Sequence, residues 1–142
     1  MKEVNLYIFG KCQNLLDNKP GAYIVKMEYK HHIRQLNDYM EDMTTNRALI
    51  IGLIEAVKLL KEPCIINVHI QTYIGFKKII SKNGGYKKTS DKKNNGALLN
   101  QLSEVLETGG HKINEILTNR YSNALKKELD QIYQDKWLKV EV

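Results

Sequence analysis

Residues 46–62 are predicted to form a helix that is buried around most of its circumference. With residues placed 100° apart, the charged side chains share one narrow stripe, and Leu49 lies opposite to it. A Thr44 or Thr45 hydroxyl is expected to cap this helix by accepting a hydrogen bond from the first turn. Pro63 is expected to end it. The charged stripe consists of Arg47, Glu55, Lys58, Lys61 and Glu62.

Strand-like segments flank this helix on both sides. Val4, Leu6 and Ile8 alternate with polar or aromatic residues, a period of two that is typical of a strand. The predicted strands are 4–10, 22–30, 33–42, 64–70 and 111–118, with a hairpin at residues 30–32. Further helices are predicted at 72–81, 97–107 and about 120–136.

This order of elements predicts an α/β domain, a mixed sheet covered by helices. The 142 residues suit a single domain, 1–142, and no apolar run approaches the ~20 residues of a membrane span. We expect Cys12 and Cys64 to be reduced thiols, because their number and spacing suggest neither a disulfide framework nor a metal site. The N-terminus lacks a signal-peptide pattern, so we expect a cytoplasmic protein, a monomer or a weak dimer.

The positive charge is concentrated in one stretch. Residues 77–93 contain seven lysines and one acid, Asp91, so their net charge of +6 equals that of the whole chain. This stretch overlaps a basic segment that glycines interrupt, at about 82–96. A local basic patch favours a polyanionic partner such as nucleic acid, although a solvated loop kept for solubility explains the charge equally well. The lysines are Lys77, Lys78, Lys82, Lys87, Lys88, Lys92 and Lys93.

Five short motifs occur along the chain: Ile8-Phe9-Gly10-Lys11, Asn18-Lys19-Pro20-Gly21, Thr44-Thr45-Asn46-Arg47-Ala48-Leu49, Ile70-Gln71-Thr72 and the stretch 86–93. In this order they resemble the small bacterial ribonuclease H with a basic protrusion. The matching family motifs are Thr-Asp-Gly-Ser, Asn-Pro-Gly, Thr-Asn-Asn-Arg-Ala-Glu, Thr-Asp-Ser and Trp-Lys-Thr-Ala-Asp-Lys-Lys. The resemblance covers nearly the whole chain and implies a ribonuclease H-like fold: a mixed five-stranded sheet, three antiparallel strands first and then two parallel ones, covered by helices.

The family's chemistry depends on four carboxylates that hold two magnesium ions, and the resemblance places other residues at all four positions. These are Phe9, Leu49, Gln71 and Asn123. Phe9 and Leu49 have no ligand atoms, and the two amides offer only neutral oxygens to an ion that favours carboxylates. We therefore expect no catalytic residues, no bound metal and no cofactor. We also expect Phe9 and Leu49 to touch and to occupy the former metal site.

Other candidate ligands are poorly placed. Glu55 lies on the solvent stripe, Asp42 at the end of a strand and Asp17 in a turn. The family's flexible loop with its Gly-His, before the last helix, is missing. His111 precedes the last strand, and we expect it to be a surface residue.

The resemblance also assigns positions that would contact nucleic acid. The alternatives without a nucleic-acid role are helix capping for Thr44 to Asn46, and a small buried residue for Cys12. The protrusion lysines would meet phosphates, and small or polar residues would meet the backbone and the 2′-hydroxyls. These positions are Gly10, Cys12, Thr44, Thr45, Asn46, Tyr73, Lys87, Lys88, Lys92 and Lys93.

Three functions remain open. The first is a catalytically inactive ribonuclease H-like domain that binds an RNA–DNA hybrid or another A-form duplex. The second is a structural or protein-interaction module, for which Trp137 and Leu138 are candidate contact residues. The third is a divergent metal-dependent ribonuclease with other ligands. Fold alone does not decide among them.

Overall fold

The computed structural model describes residues 1–91, 93 and 95–138, without the side chain of Leu138. Its centre is a five-stranded sheet with the strand order β3-β2-β1-β4-β5. β1 pairs antiparallel with β2 and β2 with β3, whereas β4 lies parallel to both β1 and β5. The predicted mixed sheet is therefore confirmed. Its strands are β1 (Lys2–Cys12), β2 (Gly21–Tyr29), β3 (His32–Met40), β4 (Cys64–Ile70) and β5 (Lys112–Leu117).

The central helix α1 (Thr45–Lys58) begins at the predicted cap. The Thr44 Oγ1 accepts a hydrogen bond from the Arg47 N–H at 3.1 Å. The helix ends at Lys58 instead of at residue 62. The Leu59 and Leu60 N–H groups bond three residues back, so the chain tightens and leaves the helical path before Pro63 reaches it.

The segment 72–81, predicted as a helix, forms only the short 3₁₀ turn Phe76–Lys78. Gly75 has a left-handed φ of 98°, which breaks any continuous helix through this position. Ile74, Phe76 and Ile79 are buried, so apolar packing holds the segment in an irregular path. The prediction of a helix over 72–81 was therefore wrong.

The remaining helices follow the sequence pattern more closely. α2 (Gly96–Thr108) matches the predicted 97–107, and the last predicted helix divides at Tyr133 into α3 (Ser122–Ile132) and α4 (Gln134–Leu138). Residues 118–121 join β5 to α3, so the predicted short connection is confirmed. None of the described helices combines the length and the hydropathy that crossing a bilayer requires.

The sheet separates two apolar clusters. The larger one joins α1 and α2 to one face of the sheet. The smaller one lies on the other face, where α3 and α4 cover the end of β1. Because neighbouring residues of a strand point to opposite faces, Ile8 joins the larger cluster and Phe9 the smaller. The smaller cluster contains Phe9, Ala22, Ile24, Leu125, Leu129 and Trp137.

Candidate nucleic-acid interface

Phe9 is buried in the smaller cluster. It lies directly across from Ile24 in the pairing of β1 with β2, and Leu125 and Leu129 of α3 complete its surroundings. The first of the four acid positions in the resemblance is therefore part of the packing between the sheet and α3.

Leu49 is fully buried on the other side of the sheet. A Cβ placed on Gly10 would come within 3.1 Å of its Cγ and Cδ2, so Leu49 packs directly against the Gly10 backbone. Phe9 and Leu49 thus belong to separate clusters on opposite faces. The predicted contact between them was wrong, because strand alternation turns Phe9 toward α3 while α1 presents Leu49 to the other face.

Gln71 follows the end of β4 and is half-buried. It lines a cavity of about 10 Å³ together with side chains that include His69, Thr118 and Ser122. A single water needs roughly 10–15 Å³ of this kind of volume. Asn123 is the second residue of α3 and is exposed. This region therefore offers neutral amide and hydroxyl groups around a space no larger than one water molecule.

Aromatic side chains pack together beside this small cavity. The Tyr7 ring stacks on His69 with 4.5 Å between centroids, and Tyr121 meets Tyr7 edge-on at 4.4 Å. Burial lowers the pKa of His69, although the charge of Glu28 acts in the opposite direction. The His69 Nε2 is 2.9 Å from the Asn5 Oδ1. This packing favours an uncharged imidazole held in place by its neighbours.

No cluster of three or more His, Cys, Asp or Glu side chains within residues 1–91, 93 and 95–138 could hold a metal ion. Glu55 is exposed and pairs with Lys58 at 3.5 Å. Asp42 and Asp17 are also exposed, and Asp42 has a left-handed φ of 56°. The acids considered from the sequence are therefore dispersed.

His111 is buried, contrary to the expectation of a surface residue. Its Nδ1 accepts a hydrogen bond of 3.1 Å from the Cys64 N–H at the start of β4. Burial lowers the pKa of His111, which favours the neutral imidazole that this bond needs. No local pattern indicated this role, because the two residues are far apart along the chain.

The end of β1 lies against the start of α1. Gly10 lies close to the Thr45 carbonyl oxygen, which a Cβ at Gly10 would approach to 3.2 Å. Cys12 is half-buried, and its Sγ donates to the Met43 carbonyl oxygen at 2.9 Å. Burial raises the pKa of the Cys12 thiol. Thr44 caps α1, and Asn46 is exposed beside it.

The lysine segment, residues 77–93, is attached to α2 by polar side chains that were not predicted from the sequence. The Ser103 Oγ donates to the Lys87 carbonyl oxygen at 2.9 Å. The Asn100 side chain accepts from the Thr89 N–H at 2.8 Å and donates to the Thr89 carbonyl at 3.1 Å. The available sequence signal for this attachment was a serine among the leucines of α2, Ser103, which is buried in the structure. These bonds fix the backbone of the segment against the core.

Most lysines of this segment extend into solvent. Lys87, Lys88 and Lys93 are exposed, and none has an ion-pair partner within the described part of the chain. Lys92 lies outside the described residues. The Asp91 carboxylate accepts hydrogen bonds from the Lys78 Nζ at 3.0 Å and from the Lys93 N–H at 2.9 Å. Lys87, Lys88 and Lys93 thus present exposed positive charge on a backbone that is fixed to α2.

Tyr73 is 63% exposed between β4 and the 3₁₀ turn. Trp137, by contrast, is buried in the smaller cluster, with its ring 5.4 Å from that of Tyr39. This packing is the alternative explanation for Trp137, which leaves it poorly available to a partner. The side chain of Leu138 lies outside the described part of the structure.

Comparison with known proteins is consistent with this architecture. The chain is 30% identical over 154 aligned residues to the ribonuclease H of Shewanella denitrificans, an alignment that covers 94% of this chain and 96% of the relative. It is 28% identical to the ribonuclease H of Acetivibrio thermocellus, with 89% and 92% covered. No family model matches. The chain belongs to the ribonuclease H family.

Solved structures show the same fold. RNase H1 from the halophilic archaeon Halobacterium salinarum superimposes with a TM-score of 0.64 at 19% identity, covering 91% of this chain and 98% of the other. LC11-RNase H1 in complex with an RNA/DNA hybrid gives a TM-score of 0.62 at 14% identity, with 92% and 99% covered. At these identities the likeness concerns the fold alone.

Proposed function

We propose that this chain is a catalytically inactive ribonuclease H-like domain that binds nucleic acid, an RNA–DNA hybrid or another A-form duplex. One observation carries the proposal: the four positions that the resemblance assigns to acids hold no acid, while the lysine segment is anchored to α2 with Lys87, Lys88 and Lys93 exposed and without an ion-pair partner among the described residues. The first feature removes the means of cleavage, and the second retains a surface suited to phosphate.

Magnesium does not fit the residues present at the four positions. A two-metal site gathers and orients hard oxygen ligands around both ions. Phe9 and Leu49 carry no oxygen and are buried in different clusters, so they have no donor to offer. Gln71 offers a neutral amide beside a cavity of about 10 Å³, and Asn123 offers one on the exposed surface of α3. The proposed domain therefore has no metal cofactor.

Binding would depend on shape and charge. The lysines would contact phosphates, which position a duplex without reading its sequence. The surface formed by Gly10, Thr44, Thr45 and Asn46 would lie along a backbone, since it carries small or polar groups able to meet phosphate and 2′-hydroxyl oxygens. The hybrid complex of LC11-RNase H1 supports the choice of this ligand class.

The test follows the anisotropy of a labelled RNA–DNA hybrid at a series of salt concentrations. If about four lysines contact phosphate, the logarithm of the affinity should fall against the logarithm of salt with a slope of about −3 to −4. Replacing Lys87, Lys88, Lys92 and Lys93 by Ala should bring that slope near zero. A variant with Lys61, Lys112, Lys126 and Lys127 replaced by Ala is the matched control, because it loses the same charge elsewhere.

The same samples are then incubated with magnesium or manganese and examined on a gel. Salt-sensitive binding without cleavage supports the proposal. Cleavage by the purified wild type, absent from a mock preparation, would refute inactivity. An unchanged slope in the first variant, or equal losses in both variants, would refute the role of the lysine segment. Absence of binding would favour the protein-interaction module.

A further inference from the structure

A second cavity lies where α1 ends, beside the start of β1. Its volume is about 370 Å³, within the roughly 300–1,000 Å³ of small-molecule sites. Val4, Met27 and Leu59 contribute apolar surface to its wall. The early end of α1 at Lys58 helps to form this space, since Leu59 and Leu60 leave the helix and remain only half-buried.

Positive charge surrounds the mouth of this cavity. Arg34 lies directly across from Met27 in the pairing of β2 with β3, so both residues face the α1 side of the sheet. Lys61 lines the mouth from the segment after α1. Neither side chain has an ion-pair partner within residues 1–91, 93 and 95–138.

The acid at this mouth is already neutralised. Glu62, the only acid among the residues that line the cavity, forms an ion pair with Lys2. Cys64 also belongs to the wall, and its thiol donates to the Glu62 carbonyl oxygen at 3.1 Å. Burial raises the pKa of this thiol, so it remains an uncharged part of the wall. The lining therefore combines an apolar interior with two unpaired cations and no free anion.

We propose that this cavity binds an amphipathic monocarboxylate with a medium-length aliphatic chain. The chain would displace water from the surface of Val4, Met27 and Leu59, where burial of apolar area is favourable. The carboxylate would remain at the mouth between Arg34 and Lys61, because guanidinium and ammonium groups form strong charge-assisted hydrogen bonds to carboxylates. This site is separate from the proposed nucleic-acid surface.

The test uses decanoate as the probe and decanol as its uncharged counterpart, both below the concentration at which they self-associate. Methyl NMR spectra locate binding, and calorimetry measures the affinity. Decanoate should shift the methyl signals of Val4, Met27, Leu59 and Leu60, and it should bind more tightly than decanol. Arg34→Ala and Lys61→Ala should each weaken decanoate binding several-fold, roughly tenfold for the arginine, without changing decanol binding.

Arg120→Ala is the matched control, since it removes an arginine that does not line the cavity and should leave decanoate binding unchanged. The proposal is overturned if the methyl signals do not move, if decanol binds as tightly as decanoate, or if Arg34→Ala has no effect. Hybrid anisotropy with Arg34→Ala should equal that of the wild type. Failure at this cavity therefore leaves the proposed nucleic-acid function intact, and the reverse also holds.

Discussion

The four positions that the resemblance assigns to acids differ from the lysine segment in how they expose polar groups to solvent. At the first, Leu49 and Phe9 are packed into the two clusters, and the space beside Gln71 is about 10 Å³. In the lysine segment, Asn100 and Ser103 bind the backbone of Thr89 and Lys87. The side chains of Lys87, Lys88 and Lys93 are exposed. At two of the positions that the resemblance assigns to acids, side chains are packed into the core, whereas the lysine segment presents exposed lysines on a backbone fixed by hydrogen bonds.

The largest effect is expected when an acid replaces the buried Leu49. Leu49→Glu should destabilise the fold by about 4 kcal/mol, because a carboxylate in this fully buried site has lost its water and has no partner. Urea denaturation followed by circular dichroism measures the change. Leu49→Met, which conserves volume, should cost less than about 1.5 kcal/mol.

Adding magnesium tests whether the carboxylate of Leu49→Glu can bind a metal ion. Added to Leu49→Glu, it should bring no more stability than sodium chloride of equal ionic strength. Specific rescue by magnesium would show that the introduced carboxylate holds a metal ion together with neighbouring oxygen donors, and it would contradict the proposal that magnesium does not fit these four positions.

Much of the fold was predictable because its elements repeat simple periods. β1 alternates, α1 is apolar except for one stripe, and Thr44 caps it as expected. The segment 72–81 was not predictable from local pattern, because the packing of Ile74, Phe76 and Ile79 and the left-handed Gly75 impose an irregular path.

The candidate site was also predictable from the sequence only in part. Residue identity at Phe9 and Leu49 was visible in the sequence, and so was the absence of an acid. Their positions on opposite faces depend on the alternation of β1 and on how α1 is rotated against the sheet. The burial of His111 depends on its bond to Cys64, a contact between distant segments that no local pattern reports.

A smaller effect tests the anchored side of the comparison. Asn100→Ala removes two hydrogen bonds to Thr89, and at about 1 kcal/mol each it should increase local opening of the lysine segment. Hydrogen exchange at the Thr89 amide should accelerate by roughly tenfold or more, and hybrid affinity should fall a few-fold because ordered lysines become mobile. Gln101→Ala, on the exposed side of α2, is the control. Unchanged exchange at Thr89 would mean that Asn100 does not hold the segment.

The smallest effect concerns an acid position that faces water. Asn123→Asp places a carboxylate in the first turn of α3, within reach of Lys126 and Lys127 along the same helix. The helix dipole and these lysines should stabilise the fold by about 0.3–1 kcal/mol, a gain that shrinks in 1 M salt. Thermal unfolding at low and high sodium chloride measures it. Because Leu49 and Phe9 supply no further ligand, magnesium at matched ionic strength should add nothing, whereas a magnesium-specific rise in Tm would mean that a single restored acid suffices for a metal site.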